Sequence, residues 1–395
     1  MPESLVCAGC SLLCDDVAVA GGRFEPECPL GAEWYAACVA SDDGIDATVD
    51  GEPGGIDHAL ARAAELLRRG RRPLVYGFVG ATIEDARAAV ALADRLGAIV
   101  AAGGAGALGG PWPGAPAFPL RGSTSATLGE SRDRSELVVI WREDPESTHP
   151  RLLGRLGLGG SNRRLAVVDD RDTATARLAD TRLDWPRERD GEALAALHLL
   201  ARGGERDRQA GELRERLQPL WRRLDPVAHA TFVYGAALAG GAGGQRRALA
   251  LQELARELSH GRHVVTLSLA DAPGIRGADD VLTWQTGYSG TVDLGSGHPE
   301  LVTATTPVVE HERVDVALRV EDARATPDDV AVIALSSRPG AGTPAVWIRT
   351  APAGVGAGGT MHRLDGVPLA LRPPQPSVAP SAAELLQRLH ETIWR

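Results

Sequence analysis

The sequence predicts an α/β fold, with interleaved doubly wound parallel-sheet domains behind a small N-terminal cysteine-cluster domain. Three observations predict it. From residue 56 onward, short apolar runs alternate with stretches of helical periodicity, the pattern of parallel sheets covered by helices. One stretch, 73–100, reads as a complete β–α–β unit, for which a right-handed crossover is the rule. Four of the five cysteines crowd the first 28 residues, where that alternation is missing.

The first fifty residues read as short runs and turns, with Gly21-Gly22 as a hairpin turn. Ile56, Leu60, Ala63 and Leu67 then recur at helical spacing. Leu74-Val75-Tyr76, after Pro73, reads as a buried strand. Thr82 with Asp85 three residues later is a capping-box pattern, opening a helix whose apolar face carries Ile83, Ala86, Val90 and Ala93. Ile99-Val100 is the next strand. Further strands are expected at 137–141, 165–168, 232–234, 264–267, 316–320, 330–335 and 345–348, with helices at 192–202 and 245–258. The Gly/Pro-rich stretch 103–122 reads as irregular, 240–244 as a surface loop, and 373–380 as an extended segment before a final helix at 382–393. No internal repeat or heptad pattern is present.

At 395 residues, 44% of them hydrophobic, the chain is long enough for two or three packed domains. Its formal charge is −10 and every one of its 42 basic residues is arginine. An acidic chain without a basic stripe is a poor nucleic-acid binder, so that partner class is set aside. Met1 to Cys14 shows no charged n-region followed by an apolar h-region, and no apolar run approaches the roughly 20 residues a membrane span needs. The chain therefore reads as cytoplasmic, with no membrane partner. In that compartment disulfides are disfavoured, and clustered cysteines read as metal ligands or redox groups.

Cys7, Cys10, Cys14 and Cys28 are spaced C-x2-C-x3-C with a fourth thirteen residues on. Thiolates are soft ligands that suit iron–sulfur clusters or zinc, and the alternative is a set of unligated buried thiols. Cys38 reads as a plain buried thiol. Gly104, Gly106 and Gly109 match G-x-G-x-x-G, but Pro111, Pro113, Pro116 and Pro119 follow where a dinucleotide site needs a helix. His149, just beyond a strand end, and His311, between Glu310 and Glu312, have no partner at metal-ligand spacing and read as solvated or core histidines. The run from Val167 to Ala176 joins a buried strand to polar residues at its carboxyl end. Asp169, Arg171, Thr173 and Thr175 there are candidates for a nucleotide-like ligand, or for a capped loop before a helix.

Several stretches together resemble the B subunit of formylmethanofuran dehydrogenase, within the molybdopterin/tungstopterin oxidoreductases of the formate dehydrogenase type. They are the run from Cys7 to Asp16, Cys28-Pro29-Leu30-Gly31, Pro73-Leu74-Val75-Tyr76-Gly77, Thr127-Leu128-Gly129-Glu130, His149-Pro150-Arg151, the run from Asp169 to Ala176, the run from Gly277 to Tyr288, and the run from Gly359 to Pro368. The resemblance runs nearly the whole chain, in order. It implies an iron–sulfur-type domain at 1–50, a first α/β domain from 51–105 and 278–350, a second from 106–277, and a C-terminal return segment at 351–395. It also implies that Cys7, Cys10, Cys14 and Cys28 are ligands of a 4Fe–4S cluster, retained or empty.

One departure bears on mechanism. The dehydrogenases supply a metal-ligating cysteine in a Cys-His-Gly-Pro segment, and the corresponding segment here is Leu108-Gly109-Gly110-Pro111. Leucine cannot ligate a metal, so no catalytic residue is assigned and molybdopterin or tungstopterin is expected to be absent. This pattern resembles the B subunit of the bacterial formyltransferase/hydrolase complex of tetrahydromethanopterin-linked one-carbon metabolism. The resemblance implies a non-redox structural subunit whose partners are the other subunits of that complex. The alternative it leaves is an active formylmethanofuran dehydrogenase-type subunit with a molybdenum or tungsten pterin.

Overall fold

The computed structural model describes residues 5–20, 23–40, 44–102, 122–158, 164–203, 208–241, 243–302, 313–322, 330–340 and 342–395. The chain forms two compact units, Met1–Trp112 with Asp271–Arg395, and Pro113–Ala270.

In the first unit one sheet runs, edge to edge, Glu300–Leu301, Thr291–Asp293, Ile99–Ala101, Pro73–Gly77, Val316–Val320, Ala331–Ser336, Val346–Arg349, Ala47–Val49 and Glu52–Gly54. The five central strands are parallel, and both flanks are antiparallel. Parallel central strands are buried on both faces, which is why 73–77 and 99–101 are unbroken apolar runs rather than alternating ones. Leu74, Tyr76, Ile99, Ala317 and Val332 pack together on one face. Each fully buried side chain of Leu or Ile size contributes about 1.5–3 kcal/mol.

The helix Ile83–Leu96 opens with the expected box: the Thr82 hydroxyl accepts from Asp85 N–H at 3.1 Å, and Asp85 accepts from Thr82 N–H at 2.8 Å. The strand order reverses between Pro73–Gly77 and Val316–Val320. At their carboxyl ends Gly77 takes φ +107°, and a Cβ there would lie 2.7 Å from Val320 O.

The second unit holds five parallel strands in the order His263–Ser268, His229–Tyr234, Leu137–Trp141, Arg164–Val168 and Thr181–Leu183. Helices Asp190–Ala201, Arg208–Leu224 and Gly244–Leu258 bury Leu194, Leu197, Leu217, Leu220, Leu251 and Leu254 against that sheet.

The predicted α/β class with parallel sheets is what the structure shows. Three local expectations are corrected. The first fifty residues hold a helix, Pro29–Val39, where turns were expected. Pro29 sits at its first turn, where the missing N–H costs nothing. Its only buried residue is Gly31, so it carries no apolar stripe for periodicity to detect. Helices Arg208–Leu224 and Ile275–Thr286 were likewise not expected. The stretches 103–121 and 303–312, with Leu108, the glycine motif and His311, lie outside the described residues, as do Gly21-Gly22, which are flanked by the antiparallel strands Ala18–Ala20 and Arg23–Glu25.

Candidate functional site

The cysteine loop belongs to the first unit. Leu5 N–H donates to Val17 O at 2.6 Å and Cys7 N–H to Cys14 O at 2.9 Å, closing the loop on itself. Leu13 turns it with φ +42°. Cys7, Cys14 and Cys28 are buried and Cys10 is half-buried. Cys28 stands at the N-terminus of the helix Pro29–Val39, its carbonyl accepting from Ala32 N–H. Gly31 in that helix leaves no room for a side chain: a Cβ would meet the Phe24 ring at 2.4 Å and Cys7 Sγ at 3.0 Å.

Cys7 Sγ accepts from Gly9 N–H at 3.3 Å. Burial pushes its thiol up to about 12 despite that hydrogen bond, and the neighbouring Cys10, Cys14 and Cys28 add to the rise. Cys10, Cys14 and Cys28 thus each lie within electrostatic reach of Cys7. Among the described residues no three His, Cys, Asp or Glu side chains are placed to hold a metal ion. Cys38 is half-buried rather than fully buried, and burial raises its thiol to about 12 as well.

The loop rests on a hairpin, Gly359–His362 paired with Pro368–Leu371. Met361 and Leu371 pack against Ala8 and Leu13, and Leu364 N–H donates to Ser11 O at 3.0 Å. From the same hairpin His362 Nδ1 lies 2.7 Å from Asp280 Oδ2, and Asp280 also accepts from Arg276 Nε at 2.9 Å. Trp284, 60% exposed, meets the His362 ring edge-on at 5.6 Å. Thr360 N–H and hydroxyl donate to the Glu84 carboxylate. Asp280 and His362 are 82 positions apart, so no spacing rule joins them. The signal was the pair of resembling segments that contain Asp280 and His362.

The strand-end run is in the second unit, and its polar atoms are engaged within the chain. Arg142, fully buried with φ +65°, donates to Asp190 at 2.9–3.2 Å, to Asp170 at 3.0 Å and to Trp185 O at 2.6 Å. Arg171 clamps the buried Asp169 through two side-chain hydrogen bonds and reaches Arg142 O. Burial opposes ionisation of Asp169, yet Arg171 and Arg142 hold it below the usual carboxylate range. Thr173 caps the short helix Ala174–Arg177. Thr175 donates to Asp144 at 2.6 Å and accepts from Glu146 N–H at 3.2 Å. The capped loop before a helix is present.

His149 is a core histidine at 4% exposure, its Nδ1 3.0 Å from the Thr148 hydroxyl. Burial lowers it to about 4, against an ordinary 6.5. The folded chain therefore keeps His149 neutral where the unfolded chain protonates it. Stability is full above pH 6.5 and falls by about 3 kcal/mol as pH drops to 4. His149→Gln is expected to remove that slope, as read from urea midpoints across the window.

Similarity to known proteins spans most of the chain. The B subunit of tungsten-containing formylmethanofuran dehydrogenase 2 from Methanococcus maripaludis is 27% identical over 94% of this chain and 93% of its own. Its counterpart from Methanocaldococcus jannaschii is 25% identical over equal shares. The chain is a homologue of these dehydrogenase subunits. The B subunit of the formyltransferase/hydrolase complex Fhc from Methylorubrum extorquens is 26% identical over 64% of this chain and 67% of its own.

Among solved structures, the crystal structure of that organism's formyltransferase/hydrolase complex with methylofuran superposes at TM-score 0.70, with 23% identity over 88% of this chain and 98% of that one. Acetylene hydratase from Pelobacter acetylenicus superposes at 0.62, with 12% identity over 99% of this chain and 69% of that one. Both likenesses establish the fold alone. No protein-family model matches the chain. Among the described residues no helix is long and apolar enough to cross a membrane.

Proposed function

We propose that this chain is a non-redox structural subunit of a cytoplasmic formyltransferase/hydrolase complex in tetrahydromethanopterin-linked one-carbon metabolism, assembled with that complex's other subunits. One observation carries the proposal. All five cysteines fall at positions 7, 10, 14, 28 and 38, so the stretch around Leu108 holds no thiolate for a catalytic metal. The likeness to the Fhc complex, in sequence and in fold, supports the same reading.

Cys7, Cys10, Cys14 and Cys28 would hold a 4Fe–4S cluster. Four thiols are donors of the type a cluster takes, and a backbone N–H is already aimed at one sulfur, that of Cys7. Zinc would draw four sulfurs onto one ion at about 2.3 Å each, a tighter set than a cluster that offers each thiolate its own iron. Bound there, a cluster would tie the loop 7–14 to the helix following Cys28, a structural role. Asp169, Arg171, Thr173 and Thr175 hold their own loop in this reading and bind no cofactor.

A second reading is an active tungsten or molybdenum dehydrogenase subunit. It is favoured by one fact: the two tungsten-containing relatives match 94% of this chain, against 64% for the Fhc relative. Elemental analysis of the anaerobically purified chain separates the readings. About four iron atoms per chain without molybdenum or tungsten is the expected result. Stoichiometric molybdenum or tungsten overturns the non-redox reading, and a chain without iron overturns the cluster.

A further inference from the structure

The helix Pro29–Val39 turns toward solvent a face of the kind that helices bury. Its inner side is Gly31, Trp34, Tyr35 and Cys38, three and four positions apart. Gly31 lies against Phe24, Trp34 rests on the cluster that holds Leu13 and Met361, and the Tyr35 hydroxyl accepts from Gln375 Nε2 at 3.2 Å. The outer side is Pro29, Ala32, Glu33, Ala36 and Val39, all exposed. Four of these five are apolar, and Val39 is 48% exposed.

A surface helix ordinarily turns polar and charged residues outward. Two other helices of the same unit do so. The exposed positions of Ile56–Arg69 include Asp57, His58, Arg68 and Arg69, and those of Ala382–Ile393 are Glu384, Gln387 and Glu391. On Pro29–Val39 the only charge is Glu33, and no cation pairs with it among the described residues.

Apolar on both sides and charged at one point, this helix is built to be covered. A bilayer asks for about 20 apolar residues to span it, or for a face of Lys and Arg to lie on it. The helix has 11 residues and none of them is basic. A second copy docked through the same face meets it by symmetry, so it brings another Glu33 and no cation. A different chain can bring an apolar strip and a basic residue together. We propose that the outer face of Pro29–Val39 is the docking surface for a different protein chain, whose apolar strip covers Ala32, Ala36 and Val39 while a Lys or Arg meets Glu33. The inference rests on the reading of this chain as a subunit of a larger complex, and adds which of its surfaces a partner subunit takes.

The test is made on the complex produced with all its subunits and with this chain tagged. Ala36→Glu puts a second carboxylate into the covered strip, and Glu33→Lys reverses the charge. Each lowers the affinity of this chain for the rest of the complex at least about tenfold, read as its share of the assembled peak in size-exclusion chromatography over a dilution series. Glu33→Gln falls between the parent and Glu33→Lys. All three changes are at exposed positions, so the melting temperature of the full chain by itself stays at the parent value.

Assembly of both charge variants at the parent affinity overturns the inference. So does a parent dimer, seen by light scattering, that Ala36→Glu splits, because the cover is then a second copy. Flotation of the parent, but not of Ala36→Glu, with phosphatidylglycerol vesicles overturns it as well. If Ala36→Glu lowers the melting temperature, Glu33→Lys and Glu33→Gln carry the test. A parent that assembles with no other subunit removes the complex reading and this inference together. A complex that forms and retains both charge variants removes this inference alone.

Discussion

Arg142→Met lowers the stability of the Pro113–Ala270 unit by about 3–5 kcal/mol, the cost of leaving buried carboxylates without their cation. Arg142 serves three groups at once. Its Nε and Nη2 hold Asp190, which is fully buried, its Nη1 holds Asp170, and Nη2 also satisfies Trp185 O. Methionine fills the volume of the stem but answers none of these acceptors. Asp190 would keep only the indole N–H of Trp141, at 3.0 Å. Urea unfolding checks the prediction through a lower midpoint at unchanged slope. Asp190→Asn in the Arg142→Met background should recover part of the loss, because a neutral amide costs less to bury than a carboxylate. An Arg142→Met variant as stable as the parent would mean that the network contributes nothing net.

The second large effect is a pH dependence centred on Asp279. This carboxyl is 3% exposed in the helix Ile275–Thr286, and its Oδ1 accepts from Gly290 N–H at 2.6 Å. Burial pushes it up to about 7, with Asp280 adding to the rise while Gly290 N–H and Arg276 oppose it. The folded state thus binds a proton that the unfolded state has released. Stability is full below about pH 4 and declines as pH climbs to 7, by about 4 kcal/mol, then levels off.

Asp279→Asn keeps an acceptor for Gly290 N–H and cannot ionise. It should match the parent at pH 4 and exceed it at pH 7.5. Thermal melts at those two values decide the matter, and an unchanged pH slope in the variant would place the titrating group elsewhere.

Much of the fold was legible in the sequence because its central strands are apolar on both faces. Runs such as 137–141 and 165–168 announce themselves without any alternation. The helix Ile83–Leu96 was legible for a different reason: its box of Thr82 and Asp85 is local chemistry, complete within four residues. The helix Arg208–Leu224 carries a signal that its proline masks. Leu213, Leu217, Leu220 and Leu224 fall at helical spacing, and the last three are fully buried, but Pro219 stands among them. The helix Ile275–Thr286 follows a glycine and holds another at Gly277, where a Cβ would meet the Ile83 side chain at 2.8 Å. That residue is chosen for close packing, which no propensity scale records.

The site divides in the same way. The four cysteines were legible as a group because three of them fall within eight residues, 7–14, and the fourth is at 28. The partners of Asp169, Arg171 and Thr175 were not, since Arg142 and Asp144 come from a different strand end. Spacing alone left a ligand site and a capped loop equally open, and only the fold shows where those polar atoms point.

The hairpin beneath the cysteine loop also sets an order of events in synthesis. The inserted unit pairs its strands entirely within residues 137–268, so it can fold while the rest of the chain is still being made. The outer sheet must wait: Arg72 and Asp315, bonded across it, are 243 positions apart. At the usual pace of translation that is on the order of ten to fifty seconds. Cys7 emerges first and acquires its floor last, when residues 359–371 leave the ribosome. Throughout that interval the four thiols are open to solvent and to oxidants. A chain that stops short of residue 359 keeps all four cysteines and loses the surface on which they are arranged.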